Sequence, residues 1–205
     1  MQAILKPLVI FSMFLLVSCF SPVKVKRECL YTLNTVPSCQ CAKKPTCKTL
    51  IVLPIITAPP YNTALMAYTR RPFQVAYYVN TRWAATPSQM LLPLLVKTLQ
   101  SAHYFHAVVM PPFVGEYEYV LTTTVLKLEH NFIPCRPEGV VMIRAQLSNA
   151  LTNQVIATRE FLAAEPIFRC PPYGGVIAQN KATAIVLSQI SDFVVCNAIK
   201  GSPCK

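Results

Sequence analysis

Aspartate is almost missing from this chain: of its eight acidic residues only Asp192 is not a glutamate. A Ser-His-Asp constellation would have to draw on that single residue, which reads as a solvated helical position, and no G-x-S-x-G elbow exists to place a nucleophile. Hydrolase chemistry therefore has no support. Glycine is nearly as scarce, with five residues at positions 115, 139, 174, 175 and 201, and none of them builds a phosphate-cradling loop. Nucleotide binding or hydrolysis by this chain has no support either. Histidine occurs three times. His103 and His106 lie near the end of a predicted helix and His130 ends a predicted strand, so a metal site would need a further ligand from a cysteine or Glu129. Two histidines at a helix end more often cap carbonyls or sit half exposed. No cofactor is implied.

Acidic residues are absent altogether between Cys29 and Gly115, where Lys43, Lys44, Lys48, Arg70, Arg71, Arg82 and Lys97 all occur, within a chain of net charge +11. Such a segment favours anionic lipid headgroups or an acidic protein partner, or simply forms a basic solvated surface. No run of interleaved arginines and aromatics marks a nucleic-acid stacking platform, and no nucleic acid is expected as a partner.

What the chain does have begins at its N-terminus. Lys6 precedes an apolar run from Leu8 to Val17, broken only by Ser12, and Leu16-Val17-Ser18-Cys19 closes it. The run is shorter than the roughly 20 apolar residues a spanning helix needs. It matches a bacterial lipoprotein export signal over residues 1–18, with Cys19 as the lipidation site. Phe20 and Ser21 follow, where inner-membrane lipoproteins often carry Asp, which favours the outer membrane as the anchor. Residues 19–47 mix Pro22, Pro37 and Pro45 with Lys and Cys, show no periodicity, and read as a lipidated, cysteine-rich tether. Setting Cys19 aside leaves 9 − 1 = 8 cysteines, an even number that makes disulfides the default in an oxidising compartment. The competing zinc site from Cys29, Cys39, Cys41 and Cys47 lacks the paired spacing of structural zinc sites.

From residue 48 to 205 the pattern is that of one domain. Strands are expected at Thr49–Leu53, Ala67–Thr69 and Phe73–Val79, with Arg70-Arg71-Pro72 as a turn. Thr86-Pro87 opens a helix carrying Met90, Leu91, Leu94, Leu95, Leu99 and Ala102 at helical spacing. Pro93 either kinks that helix or marks its first turn. Further strands are expected at His106–Val109, Glu118–Glu129, Val141–Leu147 and Gln154–Leu162, the last two as a hairpin, and a final helix at Val176–Ile199. This order implies an α+β two-layer sandwich, an antiparallel or mixed sheet with both main helices on one face.

Tyr68, Tyr77, Tyr78 and Trp83 are interleaved with Arg70, Arg71 and Arg82. Rings with guanidinium groups suit a headgroup or protein interface, so Arg70, Arg71 and Arg82 are the candidate partner- or lipid-binding residues, with Trp83 as the support behind them. The competing reading makes Trp83 a core anchor between hairpin and helix. Tyr31-Thr32-Leu33 after the cysteine, the strand at Thr49–Leu53, Tyr68-Thr69-Arg70-Arg71, and Arg82-Trp83-Ala84 before a helix together resemble the auxiliary lipoprotein component of ABC-type transport systems, of the Pqi type that accompanies MCE-domain lipid transporters. That resemblance implies a non-catalytic, periplasm-facing lipoprotein of a lipid transport system, with an MCE-domain protein, the membrane and anionic phospholipid as partners. The cysteine content from Cys39 to Cys47 and Pro93 depart from the family's pattern. The alternatives are a cysteine-rich redox or metal-handling envelope lipoprotein and a pilotin-like structural lipoprotein.

Overall fold

The computed structural model describes residues 27–37 and 45–200. The expected export signal, Cys19 and three further cysteines, Cys39, Cys41 and Cys204, lie outside these residues. Nine strands form one mixed sheet: β1 (Cys29–Tyr31), β2 (Thr49–Val52), β3 (Ile56–Thr57), β4 (Leu65–Thr69), β5 (Ala76–Trp83), β6 (Ala107–Val109), β7 (Tyr119–Asn131), β8 (Glu138–Asn149) and β9 (Val155–Pro166). Among the described residues two α-helices complete the fold, α1 (Pro87–Ser101) and α2 (Tyr173–Lys200). The α+β class with a mixed sheet and two helices is as expected.

β7 is the spine. One of its edges pairs antiparallel with β8 over the whole length, and β8 pairs in turn with β9. Its other edge is shared by three short parallel strands in succession: β2 beside residues 119–121, β3 beside 124–125 and β4 beside 129–131. β6 extends the sheet beyond β2, while β5 and then β1 extend it beyond β4. A bulge between Val125 and Lys127 reverses the inward side of β7, so Leu121 and Val125 face the core on one side of it and Leu128 and His130 on the other.

Both helices join one core with the inward residues of the sheet, in which Leu91, Leu95 and Leu99 of α1 and Val186, Leu187, Ile190 and Val194 of α2 are fully buried. By length and composition alone α2 could cross a membrane, but its apolar stripe is spent on β8 and β9. The opposite face of β7–β9 carries a polar ladder, with Thr124 beside Arg144 and Arg144 ion-paired to Glu160 at 2.6 Å. α1 starts at Pro87 with a capping box in which Gln89 Oε1 accepts from the Thr86 amide. Pro93 therefore lies inside the helix rather than in its first turn, on the exposed side, where water can reach the carbonyl it leaves unpaired.

Two expectations change. Part of the segment read as tether is built into the domain: β1 pairs parallel with β5, Leu33 is buried, and Asn180 of α2 holds the stretch that follows. Asn180 Oδ1 accepts from the Asn34 amide at 2.9 Å, and its Nδ2 donates to the Thr32 carbonyl at 3.2 Å. A three-residue strand is too short to show periodicity. The disulfide framework also does not form among the described residues, where Cys29, Cys47, Cys135, Cys170 and Cys196 are exposed free thiols. Cys196 lies about 35 Å along the helix from the start of α2, near which Cys170 stands, far beyond the roughly 7 Å Cα limit for a bridge.

Asn180→Ala should cost about 1 kcal/mol in folding stability. Hydrogen exchange should show loss of protection confined to Asn34 and Thr35; protection that stays unchanged there would mean that other contacts hold the segment.

Candidate functional site

The β4–β5 hairpin ends in a turn at Arg71-Pro72-Phe73-Gln74, closed by the Gln74 amide donating to the Arg71 carbonyl at 3.3 Å. Proline at the second position suits such a turn. The third position has φ 65°, the type II geometry that glycine or asparagine normally supplies. Here it is an aromatic residue, and its ring has no packing partner: Phe73 is exposed to 108% of its reference area. This turn displaces the start of β5 from the expected Phe73 to Ala76.

Behind the turn, rings step from the surface to the core. The Arg70 guanidinium lies 5.3 Å from the Tyr68 ring centre and 6.0 Å from that of Phe132, a cation–π arrangement. Tyr68 meets Tyr78 at 4.8 Å. The Tyr78 hydroxyl donates to His130 Nδ1 at 3.0 Å, and His130 Nε2 donates to Gln179 Oε1 of α2 at 3.0 Å. A shallow hollow of about 340 Å³ lined by Tyr68, Arg70, Arg71, Gln74 and Ala76 lies on the outside of this stack.

His130 is 1% exposed, and α2 passes so close that a Cβ at Gly175 would overlap its ring. Gly175 is therefore a packing requirement. Burial pulls the His130 pKa down to about 4 against the opposing effect of its hydrogen bond to Gln179, and burial pushes Tyr78 up to about 12. On the other face of the sheet Glu129, also buried, accepts from the Tyr61 hydroxyl at 2.7 Å and the Thr69 hydroxyl at 2.9 Å. Burial and the neighbouring Glu129 both raise the Tyr61 pKa. These buried polar groups are mutually satisfied, and they fix the registry of β4, β7 and α2 beneath the arginines.

The four residues singled out in the sequence are not brought together. Arg70 and Arg71 are exposed at the turn. Arg82 lies near the other end of β5, on the order of 20 Å away at about 3.3 Å per residue, and it is ion-paired to Glu28 ahead of β1. Trp83 is 2% exposed and belongs to the core, so it does not stand behind the hairpin arginines. Lys48 is also engaged, donating to the Tyr119 hydroxyl at 3.0 Å. His103 and His106 are exposed just past α1, remote in kind from the buried His130. Sequence reasoning missed Phe73 as a turn residue; Pro72 just before it was the available signal.

The fold is an α+β two-layer domain that presents a cationic, aromatic hairpin at one end of its sheet. The chain belongs to the ABC-type transport auxiliary lipoprotein component family, whose model matches residues 31–191. Its fold is similar to that of the Xanthomonas campestris protein XCC0632, with a TM-score of 0.76 at 18% identity over 84% of this chain and 97% of that one. A second crystallised, uncharacterised protein is similar with a TM-score of 0.67 at 16% identity, over 82% of this chain and 99% of its own. No curated protein matches the sequence. Membership of a lipoprotein family places the chain at the membrane-anchored cell envelope, as an auxiliary transport component.

Two outcomes follow from this geometry. Because the His130 pKa is lowered in the folded chain, the unfolded chain binds more protons between about pH 6.5 and 4. The contribution of His130 to stability is complete above pH 6.5 and is lost as pH falls towards 4, about 3 kcal/mol in all. Urea unfolding across that window should show this loss, and His130→Asn should flatten the profile. Phe73→Gly should raise stability by about 1 kcal/mol by relieving the left-handed backbone, measured as a higher Tm; an unchanged or lower Tm would mean that the ring is packed.

Proposed function

We propose that this chain is a non-catalytic auxiliary lipoprotein of an MCE- and ABC-type lipid transport system, acylated at Cys19 in the outer membrane and facing the periplasm. Family membership is the observation that carries this reading. It is supported by the lipoprotein signal before Cys19 and by hairpin cations that no internal partner neutralises: among the described residues the ion pairs are Arg82 with Glu28, Lys127 with Glu129 and Arg144 with Glu160, and none involves Arg70 or Arg71. The energy-consuming steps belong to other subunits, and this domain contributes contact. The partner is an MCE-domain protein, met by the exposed sheet surface, while Arg70 and Arg71 are the contact residues of the basic hairpin. Arg82 and Trp83 serve the architecture, as an ion pair that fastens β1 and as a core ring.

The five exposed thiols favour one other reading, a cysteine-rich redox or metal-handling envelope lipoprotein. Thiol titration and zinc content of the purified, unreduced protein separate the two. Labelled palmitate should enter the wild-type chain and be absent from Cys19→Ser. Crosslinking in intact envelopes should recover an MCE-domain protein with the tagged full chain; recovery of a secretin instead would replace the transport role with a pilotin-like one.

A further inference from the structure

Strand directions gather at one end of the sheet more than the hairpin. β4 is parallel to β7 with Thr69 beside Asn131, so the β4–β5 turn and the β7–β8 turn (132–137) lie together. β9 finishes beside the start of β8, and the Ile167 amide donates to the Pro137 carbonyl at 2.8 Å, which brings in the β9–α2 loop (167–172). β1 is parallel to β5. Cys29 lies beside Thr81, so the chain joins the sheet part-way along β5, running away from the end at which β5 begins.

The side chains collected there share one character. Arg70, Arg71, Arg136, Arg169 and Lys181 are exposed, and among the described residues none of them is in an ion pair. Between them stand exposed apolar groups: Phe73, Phe168 at 78% and Ile133 at 48%. A second hollow, of about 240 Å³, sets Phe168 beside Arg169 and Lys181, on the other flank of the end from the Arg70 and Arg71 hollow. The acids on this end, Glu138 and Glu165, are half-buried in the β8–β9 pairing.

We propose that this end of the sheet is a bilayer-docking face, in which the cations meet the phosphates of anionic phospholipid headgroups while Phe73 and Phe168 enter the interface between headgroups and acyl chains. The inference rests on the anchored reading above and deepens it. Protruding rings among unpaired cations match an interface that is anionic at its surface and apolar a few ångströms below. Reach permits an acylated Cys19 at this end, because the eight residues from Cys19 to Arg27 extend to about 26 Å at most. They carry Lys24 and Lys26, which add charge of the same sign.

The test uses the full mature lipoprotein reconstituted in vesicles, either of phosphatidylcholine alone or with phosphatidylglycerol, containing brominated acyl chains. Trp83 is the sole tryptophan and is buried, so its emission is a constant background that brominated chains do not reach, and a Phe73→Trp variant adds one quenchable reporter. Blue-shifted emission quenched severalfold in the anionic vesicles, and much less in the neutral ones, is expected. Adding Arg70→Ala and Arg71→Ala should lower the docked-to-undocked ratio about 30-fold, at about 1 kcal/mol for each cation removed. A reporter that stays in water on anionic vesicles, that is quenched equally on neutral ones, or that becomes protected only when an envelope protein is added overturns the proposal. The last outcome would assign this end to a protein partner. Failure here leaves recovery of an MCE-domain protein untouched as evidence for the transport role, and failure of that recovery leaves the docking result standing.

Discussion

The shared edge of β7 is the constraint on which this molecule is built. One strand of 13 residues pairs antiparallel with β8 along its whole length, interrupted only by the bulge between Val125 and Lys127, and divides its other edge among three strands that arrive separately from the chain. Parallel pairing of β4 along the last of these segments aims the β4–β5 hairpin past the end of β7. Reversal of the inward side at the Val125–Lys127 bulge then turns His130 towards α2 and Glu129 towards Tyr61 and Thr69. The same three residues of β7 that pair with β4 thereby fix the platform beneath Arg70.

That platform is rigid where the hairpin is exposed. His130 is held from both ring nitrogens and by the close approach of Gly175, Tyr78 stacks on Tyr68, and Arg70 rests over Tyr68 and Phe132. Satisfied buried polar groups of this kind specify one arrangement rather than several. The hairpin turn carries the opposite signature, a bulky residue in left-handed backbone with an unpacked ring. A strained turn on a rigid base is consistent with the contact role proposed for this hairpin.

Much of the architecture was legible in the chain because it rests on local pattern. Alternation from Val141 to Leu147 marks β8, the stripe through Ala182, Val186 and Ile190 marks α2, and Thr86-Pro87 marks the start of α1, each within a few residues of the observed element. Long-range pairing left no such trace. Arg82 looks like another member of the arginine group until Glu28, 54 residues earlier, is seen to hold it. Trp83 differs from a surface tryptophan only by the side of the sheet it occupies. β1 is too short to read, and the meeting of Arg136, Arg169 and Lys181 with the hairpin depends on which strands run parallel. The candidate site was therefore half visible, in Arg70 and Arg71, and its remainder is a product of topology.

Orientation on the bilayer is the central claim, and hydrogen exchange on the reconstituted, unmutated lipoprotein tests it most directly. Amides in 70–75, 132–137 and 167–172 should gain protection together on anionic vesicles relative to neutral ones, while 150–154 in the β8–β9 turn remains unchanged. Equal exchange of the three segments on both kinds of vesicle, or protection at 150–154 instead, would contradict it.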